Sequence, residues 1–119
     1  MDKSISMRMK LIRSLFAGLL DKHQDEPIKI LEINICLQGL DDIISALRST
    51  VVSKNSYFDF KDAVDFFLIY DKENDPTYQF SFINICKDLN IDYEKIVARL
   101  KELLPEINKI VDKKVKNIK

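Results

Sequence analysis

The scarcity of glycine and proline is the feature that most constrains this chain, because only two glycines and three prolines occur in 119 residues. An all-β sandwich or barrel reverses direction about every 8–12 residues and uses these residues in its turns. A helical protein needs fewer reversals, so we expect a mainly helical chain. The 16 isoleucines and six valines weakly oppose this expectation, because β-branched side chains lose rotamer freedom in helices.

The composition predicts a single domain spanning residues 1–119. Hydrophobic residues make up 46% of the chain, and its length falls in the range of about 100–200 residues that is usual for one domain. No uncharged apolar run approaches the 18 or so residues of a membrane span. Basic residues also interrupt the apolar positions near the N-terminus, unlike those of a signal peptide. We therefore expect a soluble, cytoplasmic protein without a membrane partner.

The sequence predicts no enzyme, metal site or cofactor. Cys36 and Cys86 are fifty positions apart and have no neighbouring Cys or His pattern, so we expect two reduced core residues and neither a zinc site nor a disulfide. Gly18 and Gly39 are isolated and form no phosphate-binding loop. His23 is expected on the surface at a helix end, without a nucleophile nearby.

Apolar periodicity predicts two helices in the first 49 residues. The first spans Met7 to Leu20, and its apolar face consists of Met9, Ile12, Phe16, Leu19 and Leu20. The second spans Pro27 to Ser49 and begins with a proline, which suits the first turn of a helix. Residues Ile28 to Ile35 partly alternate as a strand would, so helix and strand both remain open for that stretch.

A third helix follows a linker from Val51 to Ser56. We expect a capping box in which Ser56 pairs with Asp59 at its start. Its apolar face consists of Phe60, Ala63, Val64, Phe67 and Leu68, widened by Phe66, Ile69 and Tyr70. The turn-forming residues 71–76 are predicted to end it, because Asn and Asp favour turns and Pro76 disfavours helix before it.

The segment from Phe80 to Leu104 predicts two helices joined by a tight break. The first helix has an apolar face of Phe82, Ile85, Cys86 and Leu89. Asn90, in the break, tolerates a left-handed conformation, and Asp92 is a favourable N-cap. The second helix has an apolar stripe of Ile96, Val97, Leu100, Leu103 and Leu104, and Pro105 is expected to interrupt it.

Residues 85–100, ICKDLNIDYEKIVARL, resemble the helix-turn-helix of DNA-binding regulators. That family has a small residue in its first helix, a glycine opening the turn and a hydrophobic residue closing it. These three positions are occupied here by Cys86, Asn90 and Ile91. Asn90 departs from the family pattern, because the family has a glycine at that position. The resemblance implies a second helix that enters the major groove. A purely structural helical corner has a similar pattern, so it remains an alternative.

A wider resemblance covers about half of the chain. The chain is similar to a group of short, largely uncharacterised bacterial proteins that carry an FSFxNIC element before such a corner. The similar segments are DAVDFF at residues 62–67, the acidic turn through Asp75, and FSFINIC at residues 80–86 with Leu89. This resemblance marks residues 80–104 as a recurring unit and implies no activity.

The outward side of the second helix supplies the candidate DNA-binding residues. If the helix enters the major groove, Arg99 can pair with guanine, Lys95 with a base edge or phosphate, and Tyr93 with a phosphate. The full candidate set is Tyr93, Lys95, Arg99, Lys101, Lys109 and Lys113. The alternative is a solvated face on which Lys95 or Arg99 pairs with Glu102.

Charge is distributed unevenly along the chain. The net charge is +1 for residues 1–58, −6 for residues 59–94 and +5 for residues 95–119, which sums to zero. Neutrality opposes strong non-specific DNA binding, whereas a basic C-terminal part beside the candidate helix favours it. Asp88, Asp92 and Glu94 would face phosphates and oppose binding. The acidic block from Asp59 to Asp75 suits a basic partner.

Residues 106–119 are predicted to form a basic C-terminal helix or tail. Its apolar positions are Ile107, Ile110, Val111, Val115 and Ile118, and so short a helix needs either the core or a partner to cover them. A second copy of the chain is one such partner, for this helix and for the N-terminal one. We expect an all-α, single-domain bundle of about five to six helices. Its expected function is DNA binding in transcription regulation; the alternative is a helical protein–protein interaction or adaptor module without nucleic acid.

Overall fold

The computed structural model describes residues 3–68 and 80–115. In these residues the fold consists of helices and contains no strand, which confirms the all-α, single-domain prediction. The helices are α1 (Lys3–Ala17), α2 (Leu19–Lys22), α3 (Pro27–Arg48), α4 (Lys54–Leu68), α5 (Phe82–Asp88) and α6 (Tyr93–Lys114).

The first predicted helix is observed as two. α1 begins at Lys3, four residues before the predicted start, and buries Ile5, Met9, Ile12 and Phe16. It ends at Ala17, and α2 follows after Gly18, a poor helix former. Leu19 and Leu20 are only half-buried, although both pack against the core.

The central helix α3 contacts each of the other five described helices. The stretch from Ile28 to Ile35 is helical, and Pro27 occupies its first turn as predicted. The burial pattern fits a helix and not a strand, because Ile33 and Cys36 are both fully buried at helical spacing while Ile28 is exposed. A Cβ built at Gly39 would lie 2.9 Å from Cε2 of Phe67, so this glycine permits the close packing of α4 on α3.

The predicted capping box at Ser56 is wrong. α4 begins at Lys54, and the backbone N–H of Ser56 donates to Oγ of Ser53 at 3.2 Å. Ser56 therefore lies within the first turn, where its N–H is one of the free donors that a preceding serine can satisfy. The helix follows its predicted apolar face as far as Leu68, whereas Ile69, Tyr70 and the predicted break at residues 71–76 lie outside the described residues.

An aromatic cluster attaches α5 to the rest of the protein. The Phe82 ring lies 4.8 Å from Phe67, 5.7 Å from Phe66 and 5.6 Å from Tyr93, measured between ring centroids. The Phe16 ring of α1 lies 6.3 Å away. Rings at these separations and tilted angles interact favourably, so one α5 side chain joins three neighbouring helices.

The prediction that Pro105 interrupts the second corner helix is wrong. α6 continues through Pro105 to Lys114, so residues 106–114 extend this helix instead of forming a separate one. Leu103, Ile107 and Val111 follow at four-residue spacing and are all buried. Burial of this continuous stripe outweighs the cost of an internal proline, which is about 3 kcal/mol. The core thereby covers the apolar side of residues 106–115, and Ile118 lies outside the described residues.

Contacts at the end of α6 also hold the linker before α4. Lys114 Nζ donates to the carbonyl oxygen of Leu47 at 2.5 Å, and the Val52 N–H donates to the carbonyl oxygen of Lys114 at 3.0 Å. Val52 and Val115 form an isolated bridge, and Val52 is buried. The end of α6 is thus attached to the end of α3.

Candidate nucleic-acid interface and a neighbouring acidic groove

The turn between α5 and α6 has the geometry that its sequence predicts. Asn90 has a φ of 59°, the left-handed conformation. Its N–H donates to the carbonyl oxygen of Lys87 at 3.2 Å, and the Ile91 N–H donates to that of Cys86 at 2.9 Å. These two bonds are those of a Schellman motif, in which a left-handed residue ends a helix. Asparagine substitutes for glycine here because its side chain tolerates this conformation.

The start of α6 is also confirmed. The Asp92 side chain accepts a hydrogen bond from the Lys95 N–H at 3.2 Å, as an N-cap should. Cys86 is fully buried and Ile91 is half-buried against the core. α5, the turn Leu89–Asp92 and the first half of α6 thus form a fixed helical corner.

The solvent-facing side of α6 carries four basic residues, here called the basic ridge: Lys95, Arg99, Lys109 and Lys113. All four are exposed. At 100° per residue they lie within about 40° of Lys95 around the helix axis. Two exposed carboxylates, Glu102 and Glu106, lie on the same face between Arg99 and Lys109. Lys101 is exposed as well but lies about 120° from Lys95 by the same geometry. The structure thus places four of the six candidates on one face.

Tyr93 differs from the outward position that its sequence predicted. It is half-buried, and its ring packs on Phe82 in the aromatic cluster. The reason is that Tyr93 lies almost opposite Lys95 around the helix, about 160° away. Its position in the first turn of α6 therefore contributes to attachment of the corner.

Glu102 interrupts the basic ridge but bonds to another helix. Its Oε1 lies 3.1 Å from Arg8 Nη2 of α1. The sequence suggested that Glu102 pairs with Lys95 or Arg99 within the helix, but the contact observed is the one with Arg8. Arg8 therefore adds a cation beside the ridge. A cleft of about 270 Å³ lies between α1 and α6, and its lining includes Arg8, Leu11, Arg99 and Glu102.

Two of the three acidic residues that oppose DNA binding are engaged within the protein. Asp92 caps α6, and Asp88 accepts from Lys29 of α3, whose Nζ lies 3.3 Å from Asp88 Oδ1. Glu94 is exposed in the first turn of α6. It remains the carboxylate nearest to the start of the ridge.

His23 is not on the surface as its sequence predicted. It is 9% exposed, and its Nδ1 lies 2.5 Å from Oε2 of Glu26. His23 is the C-cap of α2, where its backbone N–H donates to the carbonyl oxygens of Leu19 and Leu20, and this turn folds its ring against the protein. Its Nε2 has no hydrogen-bond partner among the described residues.

An open groove lies between the start of α3 and the end of α5. Its volume is about 570 Å³, and its lining consists of Glu26, Pro27, Ile28, Lys29, Glu32, Asn84 and Asp88. Lys29 spans it, since its Nζ donates to the carbonyl oxygen of Asp88 at 2.8 Å and also contacts the carboxylate. We call this the acidic groove.

Glu32 is the unusual residue of the acidic groove, because it is a carboxyl group only 2% exposed. Burial and a hydrogen bond with Asp88 raise the pKa of Glu32 to about 7. That hydrogen bond, together with Lys29, lowers the pKa of Asp88. Below about pH 7 the proton therefore resides on Glu32, which donates to the Asp88 carboxylate. Oε1 of Glu32 has no partner among the described residues.

Sequence reasoning missed Glu32 and Arg8. Glu32 did carry a signal, since it lies four residues before the buried Cys36 and hence on the buried stripe of α3. Arg8 carried none, because its partner Glu102 is 94 residues away in the chain.

Neither cysteine is a candidate nucleophile in this structure. Both thiols are free and buried, and burial raises the pKa of both, that of Cys86 to about 12. The thiolate is the reactive form, so these groups behave as apolar core atoms. Within residues 3–68 and 80–115, no cluster of His, Cys, Asp or Glu side chains is arranged to hold a metal ion. No helix in this part of the chain is long and apolar enough to span a membrane.

Comparison of the chain with models of protein families gave no match, and comparisons with curated proteins and with solved structures gave none either. The candidate function therefore follows from the geometry of the basic ridge and the acidic groove.

Proposed function

We propose that this protein is a cytoplasmic, non-enzymatic DNA-binding regulator that reads duplex DNA with the first half of α6. The observation that carries the proposal is the exposure of Lys95 and Arg99 at the start of a capped helix that directly follows a tight turn. A recognition helix in a helix-turn-helix contacts base edges with residues near its N-terminus.

The spacing of the ridge residues assigns different roles to its two ends. Lys95 and Arg99 are about 6 Å apart along the helix axis, and the exposed Ala98 between them is small enough for a close approach to base edges. We assign base contact to Arg99 and a base edge or phosphate to Lys95. Lys109 lies about 21 Å further along than Lys95, so Lys109 and Lys113 contact flanking phosphates. Lys101 is assigned to phosphate as well, whereas Tyr93, half-buried against Phe82, is assigned no DNA contact.

Charge predicts the salt dependence of this binding. The chain has no net charge, so attraction to DNA comes from local basic residues, which are the basic ridge, Lys101 and Arg8. Each phosphate contact that releases counterions steepens the fall of affinity with salt. Glu94 opposes phosphate at close range unless it accepts from a cytosine amine.

The test compares two single-arginine variants of the full chain. A duplex that the unmodified protein selects from a random pool at low salt is the probe, and fluorescence anisotropy measures its binding by the unmodified protein, Arg99→Ala and Arg48→Ala. Arg48 is exposed at the end of α3. Its neighbour Leu47 bonds to Lys114, which is about 28 Å along α6 from Lys95. Both variants lose one positive charge, but only Arg99 lies in the proposed reading surface.

We expect Arg99→Ala to weaken binding about 5- to 150-fold, the effect of losing one base contact. Arg48→Ala should retain the affinity of the unmodified protein within a small factor. Absence of any binding at low salt, or equal loss in both variants, would exclude DNA reading by α6.

A second candidate function is self-association through α1, and one specific observation favours it. Met7, Leu11 and Leu15 are 63%, 64% and 43% exposed and follow one another at four-residue spacing. They form an apolar stripe on the side of α1 that faces away from its buried residues. Helices with such stripes pack on one another. Because Leu11 also lines the cleft beside Arg99, a dimer through this stripe would bring two α6 helices near one interface.

Sedimentation equilibrium of the full chain tests this second candidate. The unmodified protein should form a dimer at micromolar concentration and Leu11→Glu a folded monomer, because a buried charge at the interface is costly. Lys10→Glu, an exposed site on the same helix, is the matched control and should leave the dimer intact. A monomeric unmodified protein would exclude this assembly without bearing on DNA binding by a single copy.

A further inference from the structure

We propose that the acidic groove binds a small organic ammonium ion, with the carboxyl groups of Glu32 and Asp88 accepting hydrogen bonds from the ligand nitrogen. The inference does not rest on the proposed DNA binding, since the groove lies between α3 and α5 and shares no residue with the basic ridge.

The first observation is the unpartnered oxygen of Glu32. A buried polar atom without a hydrogen bond is costly, so native proteins nearly always pair such atoms. Glu32 lines the groove, is only 2% exposed, and leaves Oε1 without a partner among the described residues. A ligand N–H that enters the groove would satisfy this oxygen.

The second observation is the charge of the lining. Two carboxylates, Glu26 and Asp88, and the neutral acid Glu32 face the groove, against the single cation Lys29. Lys29 is already bonded to Asp88, and His23 holds one oxygen of Glu26. The groove therefore has acceptors in excess of donors, which favours a cation with N–H groups over an anion. Pro27 reinforces this preference, because it removes one of the backbone N–H donors that would attract an anion to the start of α3.

The shape and chemistry of the lining favour an organic cation over a metal ion. Among the described residues no group of three or more His, Cys, Asp or Glu side chains is arranged to ligate a metal. Pro27 and Ile28 supply an apolar lip, where Ile28 is 51% exposed. An alkyl chain would cover this lip while its ammonium group reaches the carboxyl groups.

Proton transfer accompanies binding in this arrangement. The ligand stays an ammonium ion, whereas Glu32 changes from the neutral acid to the carboxylate and releases its proton to solvent, so that charge is conserved. The other ionisable groups around Glu32 are Asp88 on α5, Lys29, Glu26 and the Cys36 thiol on or beside α3, and His23 at the end of α2. Affinity is therefore expected to rise between pH 6 and 8.

The experiment titrates the full chain with butylammonium chloride and follows backbone amide chemical shifts. Sodium chloride at equal ionic strength, tetramethylammonium and magnesium chloride serve as comparison probes. We expect saturable shifts at residues 28–32 and 84–88 with butylammonium. Tetramethylammonium, which has the charge but no N–H, should bind far more weakly. Equal shifts with sodium chloride, or tighter binding of magnesium, would overturn the proposal.

Three variants test whether binding depends on Glu32 and Asp88 in particular or on acidic charge anywhere on the protein. Glu32→Gln keeps the size of the side chain but loses the anionic acceptor, and it should weaken binding at least about tenfold. Asp88→Asn, at a more exposed position, should do the same if Glu32→Gln fails to fold. Glu106→Gln removes one exposed charge from α6 and should retain full affinity. Unchanged affinity in both groove variants would refute the site.

Discussion

Replacing Glu32 by glutamine should change how the stability of the protein depends on pH. Glu32 is 2% exposed and donates its proton to Asp88 in the folded chain. In the unfolded chain it is an ordinary solvated carboxyl group. Glutamine has the same size and can still donate from its amide to Asp88, but it does not titrate.

The size of the effect follows from the pKa of Glu32, which rises from 4.5 to about 7 on folding. Below pH 4.5 both states are protonated and Glu32 contributes no pH dependence. As the pH rises toward 7 the unfolded chain releases this proton while the folded chain keeps it, so the free energy of unfolding falls, and it levels off above 7. A shift of this size corresponds to at most about 3 kcal/mol, at 1.36 kcal/mol for each pH unit.

Asp88 acts in a different pH range. Its pKa is lowered from 3.8, so its contribution to stability is present above pH 4 and is lost in more acidic solution. The window from pH 4.5 to 8 therefore isolates Glu32. Urea denaturation followed by circular dichroism across this window measures the free energy of unfolding of each protein.

We expect the unmodified protein to lose about 2–3 kcal/mol more than Glu32→Gln between pH 4.5 and 8. The comparison cancels other titrating groups, because both proteins share them. The exposed Glu106→Gln variant should follow the unmodified protein. If the free energy of unfolding depends on pH in the same way in the unmodified protein and in Glu32→Gln, the claim that Glu32 is buried and donates a proton to Asp88 is refuted.

Three further substitutions test the corner and the packing by urea denaturation. Asn90→Ala should destabilise by about 1 kcal/mol, because alanine disfavours the left-handed conformation, whereas Asn90→Gly should not; equal loss in both would contradict this turn geometry. Gly39→Ala should cost about 1–3 kcal/mol, since its Cβ would lie 2.9 Å from Phe67, and Gly18→Ala, which has more space, is its control. Pro105→Ala should stabilise by about 1–3 kcal/mol; destabilisation would show that α6 requires the proline.

Local patterns predicted the corner well. The left-handed bend at Asn90 and the cap at Asp92 both depend on residues within a few positions of each other. The same holds for Pro27 in the first turn of α3. Such features were readable because their physical causes, backbone sterics and short-range hydrogen bonds, lie inside the segment itself.

Other features depended on partners remote in the chain, and there the local pattern misled. Pro105 looks like a helix end, yet burial of the stripe around it keeps α6 continuous. His23 sits in a polar run but is buried against the start of α3. In both cases packing with other elements outweighed the local preference.

The amino-acid sequence by itself determined that this protein is helical and where most of its helices lie, because apolar spacing and a shortage of turn residues act locally. Only the tertiary structure decided which polar groups meet. The raised pKa of Glu32 comes from burial and from Asp88, 56 positions away, and the pair of Arg8 with Glu102 joins opposite ends of the chain. Desolvation and long-range charge pairing depend on how helices pack, and no short stretch of sequence contains that information.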